Sequence, residues 1–382
     1  MPIMREKLSK AIDFATKTGS FSTINACRNA KNICVFGLGR FFEEAFDTWN
    51  FKDKLGINVL CDNNPDKWGK TFKGLPCVSP NELAKLDNLI VIPLIGDREP
   101  AFRQMHGLNI RCLDPEECLN ESFSKTLHSK EWFSNNRILE VYDMLADDES
   151  KRVYASVLTN RISFWRYPYS DLYTEGPYFS NLYEMRNDEV FIDCGAYTGD
   201  TVLRFLETIA PLKNSGFKEI HAFEADMQNF IELEKTIASI PEQQRKNIHC
   251  HRAGVWNETG TMSFGREAYG SFEFVSALKT DSFFLQQTVP TVKIDDLARN
   301  ATFIKMDIEG AELNALKGAE DTIKNNAPKL AICIYHQLND FWEIPMYLKR
   351  IMPEYSFYVR HHSKGLSETV LYAVNTSRRD RQ

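Results

Sequence analysis

Residues 190–201 read V-F-I-D-C-G-A-Y-T-G-D-T, and the fold follows from how this stretch is read. Val190, Phe191 and Ile192 form an apolar run closed by Asp193. Gly195 and Gly199 punctuate a turn, after which Val202, Phe205, Leu206 and Ile209 recur at the i, i+3, i+4, i+7 spacing of one helix face. Strand, glycine turn and helix in that order open an α/β unit. In open α/β sheets ligands bind beyond the carboxyl ends of the strands, where glycines let them approach the backbone. A pyrophosphate would favour an uncharged loop at a helix N-terminus. Here Asp193 and Asp200 flank the turn, which suits a cationic ligand such as the ammonium and sulfonium of S-adenosylmethionine.

Strand and helix alternate downstream. Residues 220–223 read as a strand that ends in Glu224, about 25 residues after the turn, where an acid can accept both ribose hydroxyls of a nucleoside or simply cap the next helix. Phe230, Leu233, Ile237 and Ile240 give that helix its apolar face. Strands follow at 248–253 and 303–306, then a helix bearing Leu313, Leu316, Ala319 and Ile323 that Pro328 ends. Residues 330–335, 356–360 and 369–374 are strand-like. The last two are joined by a short loop, which predicts a hairpin and an antiparallel edge on a parallel sheet. Asp307 and Glu309 follow the strand at 303–306 and belong at the mouth of the crevice; Glu312 reads equally as a helix-capping acid.

These segments resemble the FkbM-type methyltransferases, class I enzymes that use S-adenosylmethionine, many of which O-methylate sugars and polyketides. The resemblance runs from about residue 178 to 374. It rests on F-I-D-C-G-A-Y-T-G-D-T, H-A-F-E-A-D, T-V-K-I-D-D-L at 291–297 and, most specifically, F-I-K-M-D-I-E-G-A-E at 303–312. It implies an α/β fold with the class I methyltransferase seven-stranded sheet and an antiparallel final hairpin. Position by position, it implies that Asp193, Gly195, Ala196 and Gly199 line the methionine end of S-adenosylmethionine, that Glu224 meets the ribose and that Ala253 sits near adenine. Tyr197 departs from the family, where many relatives carry Asn. With a saccharide or other small-molecule hydroxyl as acceptor, as in polysaccharide biosynthesis, the candidate catalytic residues are Asp307, Glu309 and His336. His361 and His362 either orient substrate or face water. No metal is demanded, because the His and carboxylate positions show no known ligand spacing.

A second strand-turn-helix opening lies upstream, at I-C-V-F-G-L-G-R in 33–40, followed by Phe42, Ala45, Phe46 and Trp49 on one helix face. Apolar runs at 57–60, 89–94 and 110–112 complete a small parallel sheet. The stretch C-D-N-N-P-D-K-W-G-K-T-F-K-G-L-P-C-V-S-P-N-E-L at 61–83 is similar to Rossmann-type domains found with sugar-modifying enzymes. Asp62 can hold a ribose or form a turn. The expected organisation is a Rossmann-like α/β domain at 1–125, a helical connector at 126–165 carrying Trp132, Phe133, Ile138, Val141, Tyr142 and Leu145, and the methyltransferase domain at 166–382. The first domain binds a nucleotide or serves as a scaffold, a substrate-presenting module or a homo-oligomer contact. An aromatic segment, residues 164–183, packs as a lid over the sheet or covers a ligand.

Composition narrows the classes. The chain has 382 residues, enough for about two domains of roughly 150 residues. With 46 Lys plus Arg against 52 Asp plus Glu, and its longest basic cluster at 377–381, it offers no nucleic-acid footprint. Nine cysteines without a C-x-x-C pair give neither a disulfide framework nor a zinc site, and no stretch reaches the length of a membrane span. A cytoplasmic location is expected. Two other readings stay open: a nicotinamide-nucleotide oxidoreductase or epimerase working through Asp62, and a non-catalytic scaffold that keeps a cofactor pocket.

Overall fold

The computed structural model describes residues 2–18, 27, 29–48, 50–96, 98–113, 115, 136–163, 168–212, 216–266, 272–274 and 286–375. Trp49, Trp132, Phe133, the first part of the aromatic segment (164–167) and the basic cluster at 377–381 lie outside them. The chain divides into two units, residues 1–173 with 363–366, and residues 174–362 with 367–382.

In the first unit the apolar runs become β1 (Asn32–Phe36), β2 (Val59–Cys61), β5 (Leu89–Pro93) and β6 (Arg111–Cys112), with a short hairpin, β3 (Thr71–Phe72) and β4 (Leu75–Val78), between β2 and β5. The sheet order is β3-β4-β2-β1-β5-β6, parallel except at the hairpin. That hairpin was not foreseen from the sequence; it turns through Lys73 and Gly74, both at positive φ. The helices Arg137–Met144 and Asp148–Ser163 belong to this unit. Arg5 on the helix Pro2–Thr18 makes two 2.8 Å hydrogen bonds to Asp143, and Val153, Tyr154, Val157 and Leu158 are fully buried.

The second unit is built on β7 (Val190–Cys194), β8 (Glu219–Phe223), β9 (Ile248–His251), β14 (Phe303–Met306), β15 (Lys329–Cys333), β16 (Tyr355–His361) and β17 (Thr369–Asn375). Their order is β16-β17-β15-β14-β7-β8-β9. All pairings are parallel except those of β17, which runs antiparallel to β15 and β16 as the hairpin pattern predicts. The order reverses at β7, so the crevice of such a sheet opens beyond the ends of β7 and β14. Phe191 stacks on Phe205 and Phe303 at 4.8 and 5.1 Å. Phe179 packs edge-on against Phe191 and Phe303, so this part of the aromatic segment covers the sheet.

Two features escaped the sequence pattern. A four-stranded sheet, β10 (Gly254–Val255), β11 (Gly260–Arg266), β12 (Phe272–Phe274) and β13 (Gln286–Val292), is inserted before β14. The helix Asp340–Ile351 contains Pro345, a residue that reads as a breaker. The expected helix over Leu313 to Ile323 is two, Glu312–Lys317 and Glu320–Asn326. They part at Gly318, where a Cβ would sit 2.1 Å from the Trp256 carbonyl oxygen.

Candidate active site

A cavity of about 490 Å³ opens where the strand order reverses. Its wall takes Gly195 after β7, Glu224 after β8, Ala253 after β9, Asp307 and Glu309 after β14, Tyr335 after β15 and Glu368 before β17. Four of its non-glycine wall residues, Tyr178, Tyr197, Glu309 and Glu368, adopt left-handed backbone (φ 69°, 48°, 55° and 63°). Such conformations cost on the order of 1–3 kcal/mol each and persist where the surrounding structure enforces them. Gly195, at φ 81°, leaves no choice of residue, because a Cβ there would lie 1.9 Å from the Asp307 carbonyl oxygen.

Behind that turn lies a buried ion pair. Asp193 and Lys305 are register partners on β7 and β14, with Nζ 3.0 Å from Oδ1. Lys305 Nζ also donates to the Gly195 carbonyl at 2.7 Å, and it lies 5.2 Å from the centre of the Tyr178 ring. Burial pushes the Asp193 carboxyl up to about 6 against the opposing pull of Lys305. Burial alone would lower the Lys305 pKa, but Asp193 and Asp307 outweigh it and hold the ammonium well above its usual value.

At the ribose station, Glu224 Oε1 accepts the Asp226 N–H at 2.8 Å and Oε2 the Tyr197 N–H at 2.9 Å. Burial raises this carboxyl to about 7 despite those donors. Capping of the following helix falls to Asp226, whose side chain accepts from Gln228 and Asn229. Glu224 is left facing the cavity.

The far side of the crevice gathers acids around one imidazole. Asp307 accepts from the Tyr178 hydroxyl at 2.9 Å and the Tyr335 hydroxyl at 3.1 Å. Burial opposes its ionisation, yet Lys305, His336 and Tyr178 hold it below the usual carboxylate range. His336 Nδ1 lies 2.9 Å from Glu312 Oε1. Burial would lower the His336 pKa; Glu312, Asp307 and Glu309 together carry it up to about 10. Glu312 is completely buried and its Oε1 also accepts the Ile308 N–H at 2.9 Å, so it is a structural acid within the site.

The sequence-derived residues therefore divide. Gly195, Glu224, Ala253, Asp307 and Glu309 meet on the cavity wall, whereas Asp193, Ala196, Gly199 and His336 stand behind it. Lys305, Tyr335 and Glu368 were not singled out, and Tyr178 was read only as part of the aromatic segment that packs as a lid or covers a ligand. Lys305 sat inside the most specific motif and could have been found as a charge within an otherwise apolar strand; Glu368 carries no such signal. His361 is fully buried and does not face water, whereas His362, 8% exposed, stands on the cavity wall. His362 Nδ1 lies 2.7 Å from the Thr174 carbonyl and Nε2 2.8 Å from the Tyr372 hydroxyl, and burial lowers its pKa to about 4, which makes it a neutral brace.

The family model of the methyltransferase FkbM domain matches residues 193–359. Among solved structures, Methyltransferase FkbM from Methylobacillus flagellatus KT superposes with a TM-score of 0.64 at 22% identity, covering 97% of this chain and 99% of that one. This is a likeness of fold. An rRNA methylase from Streptococcus thermophilus covers 50% of this chain and 87% of its own at 11% identity and a TM-score of 0.31. A Streptococcus mutans protein solved in complex with SAH covers 50% and 90% at 10% identity and 0.30. Superpositions that weak add nothing to the assignment. No curated protein matches the chain. Within the second unit, residues 193–359 match the model of the methyltransferase FkbM domain, and the seven-stranded sheet with its antiparallel hairpin is similar to the fold of an FkbM methyltransferase.

Proposed function

We propose that this chain is an S-adenosylmethionine-dependent methyltransferase that O-methylates a hydroxyl of a saccharide, glycoconjugate or related natural product, in the cytoplasm. One observation carries the reading. A single cavity joins an acid at the end of β8 and a glycine turn at the end of β7 to the carboxylates beyond β14 and before β17. Its acids, Asp200, Glu224, Asp307, Glu309 and Glu368, outnumber the cationic Lys305 and Arg204 on the wall, which favours a cationic ligand. Glu224 would hold the ribose hydroxyls, Ala253 and Val255 would lie beside adenine, and Gly195 would admit the methionine end.

S-adenosylmethionine would supply a sulfonium methyl, which passes to the acceptor oxygen as the carbon–sulfur pair stays on sulfur and the hydroxyl proton leaves. The chain's part is to align and to take that proton. Asp307, held ionised by Lys305 and fixed by two tyrosine hydroxyls, orients the acceptor hydroxyl, and alignment of this kind removes much of the barrier. Glu368, raised by burial and lying 3.5 Å from the Tyr178 hydroxyl, is the stronger base of the two and takes the proton. His336, protonated wherever no cation displaces its Nε2 proton, contributes charge.

The carboxylate on which the nicotinamide reading depends is already engaged. Asp62 Oδ2 accepts from Leu38 N–H at 2.7 Å and Lys67 Nζ at 2.9 Å, and Oδ1 from Asn64 N–H at 2.8 Å, so its own loop uses the carboxylate. Parallel calorimetric titrations with S-adenosylhomocysteine and NAD test the proposal, followed by labelled-methyl transfer to a panel of saccharides. Binding of the first ligand alone is expected; its failure to bind would sink the reading, and binding without transfer to any hydroxyl compound would favour the scaffold.

A further inference from the structure

Asp307, Glu312 and His336 bring ligand-type atoms within 4.8 Å of one another, and Glu309 closes the group from the cavity side. The imidazole is held from behind. Its Nδ1 is 2.9 Å from Glu312 Oε1, a contact that fixes the ring and leaves Nε2 pointing forward. Nε2 faces Asp307 Oδ1 at 3.4 Å and Glu309 Oε2 at 3.5 Å. The side chain is 8% exposed, and neither Nε2 nor the fully buried Glu312 Oε2 has a hydrogen-bond partner among the described residues.

Those two separations are longer than the ~2.7–3.2 Å of an N–H···O hydrogen bond. They do fit the ~3.4 Å edge of a tetrahedron whose nitrogen and oxygen ligands each stand ~2.1 Å from a central ion. A carboxylate behind a histidine is also the usual device that orients a metal-bound imidazole.

We propose that His336 Nε2, Asp307 and Glu309 bind a first-row divalent transition-metal ion, with Glu312 positioning the imidazole. The nitrogen donor separates this site from all-oxygen sites of the Mg²⁺ or Ca²⁺ kind. Asp307 and Glu309 both line the cavity, so an open coordination position faces it. There the ion lowers the pKa of a coordinated acceptor hydroxyl. That use rests on the methyltransferase reading; the binding of the ion does not.

The test is a Co²⁺ titration of the full chain after chelator treatment, read by equilibrium dialysis and by the visible d–d bands. One-to-one saturable uptake is expected in the wild type and loss of it in His336→Gln. Glu309 has a 44% exposed side chain, so Glu309→Gln keeps the fold and should weaken uptake roughly tenfold. The proposal is overturned if the wild type shows no saturable uptake, if His336→Gln binds Co²⁺ as the wild type does, or if Glu309→Gln keeps full affinity. S-adenosylhomocysteine titrated into the same wild-type sample separates the two readings. Its binding without Co²⁺ uptake removes the metal site alone, and Co²⁺ uptake without its binding removes the methyltransferase reading alone.

Discussion

Lys305 and Asp193 face each other as partners on the two central strands of the seven-stranded sheet, 3.0 Å apart and no more than 2% exposed. Because Lys305 also holds the Gly195 carbonyl, this pair ties the floor of the cavity to the turn that forms its wall. Removing one member strands the other charge in the interior, at a cost of about 3–5 kcal/mol. Asp193→Asn and Lys305→Met should each lose stability of that order in urea unfolding. The double variant should lose clearly less than the sum, since it leaves no unpaired charge. Strict additivity would show that the two groups do not act as a pair.

Gly195→Ala should abolish S-adenosylhomocysteine binding and lower the melting temperature. A Cβ at φ 81° would strike the Asp307 carbonyl, so either the turn or the end of β14 must move. Left-handed backbone adds about 1–2 kcal/mol for a residue with a Cβ. Gly39 is the control: its φ is −96° and a Cβ there meets nothing within 4 Å, so Gly39→Ala should leave the melting temperature nearly unchanged.

Glu224 should make ligand binding depend on pH near neutrality. Its folded pKa is about 7 against an ordinary 4.5, so the folded chain holds this proton more tightly than the unfolded one. The associated stability is fully present below the unfolded value and declines as pH rises toward the folded one. Binding runs the opposite way, because ribose hydroxyls donate to the ionised carboxylate. The dissociation constant for S-adenosylhomocysteine should fall, by up to roughly tenfold, between about pH 6 and pH 8. Calorimetry on Glu224→Gln should give weaker binding with a flat profile, and a slope equal to that of the wild type would rule out this carboxylate as its source.

The sheet and its ligand-binding edge were legible because their signals are local. Val190, Phe191 and Ile192 are buried in a strand, Gly195 and Gly199 sit at the turn, and Val202, Phe205 and Ile209 face the core from one helix. The acids after β8 and β14 could likewise be placed by their positions at strand ends. What could not be read is whatever depends on strands meeting from distant parts of the chain. Asp193 looked like a wall residue until its partner Lys305, 112 positions away, took it inside. The grouping of Asp307, Glu309 and His336 is equally invisible as sequence spacing, since it arises where two neighbouring strands end side by side. Pro345 misleads in the other direction, because packing against the core sustains the helix that contains it.

Glu368 offers the sharpest test of the chemistry. It lies on the cavity wall just before β17, and burial, reinforced by Asp307, raises its pKa above the usual 4.5 while Lys305 and His336 oppose the shift. A carboxyl with a raised pKa is a better proton acceptor, and general bases typically contribute about 10²–10⁴-fold. Glu368→Gln should therefore reduce kcat by about 10²-fold or more, leave the KM for the methyl donor nearly unchanged, and remove the acid limb of the pH–rate profile. Tyr178→Phe separates base from scaffold. It deletes the hydroxyl that donates to Asp307 and approaches Glu368 at 3.5 Å, so it should lower kcat while the acid limb persists. If Glu368→Gln keeps that limb, the proton goes to another group, and Asp307 becomes the acceptor to test next.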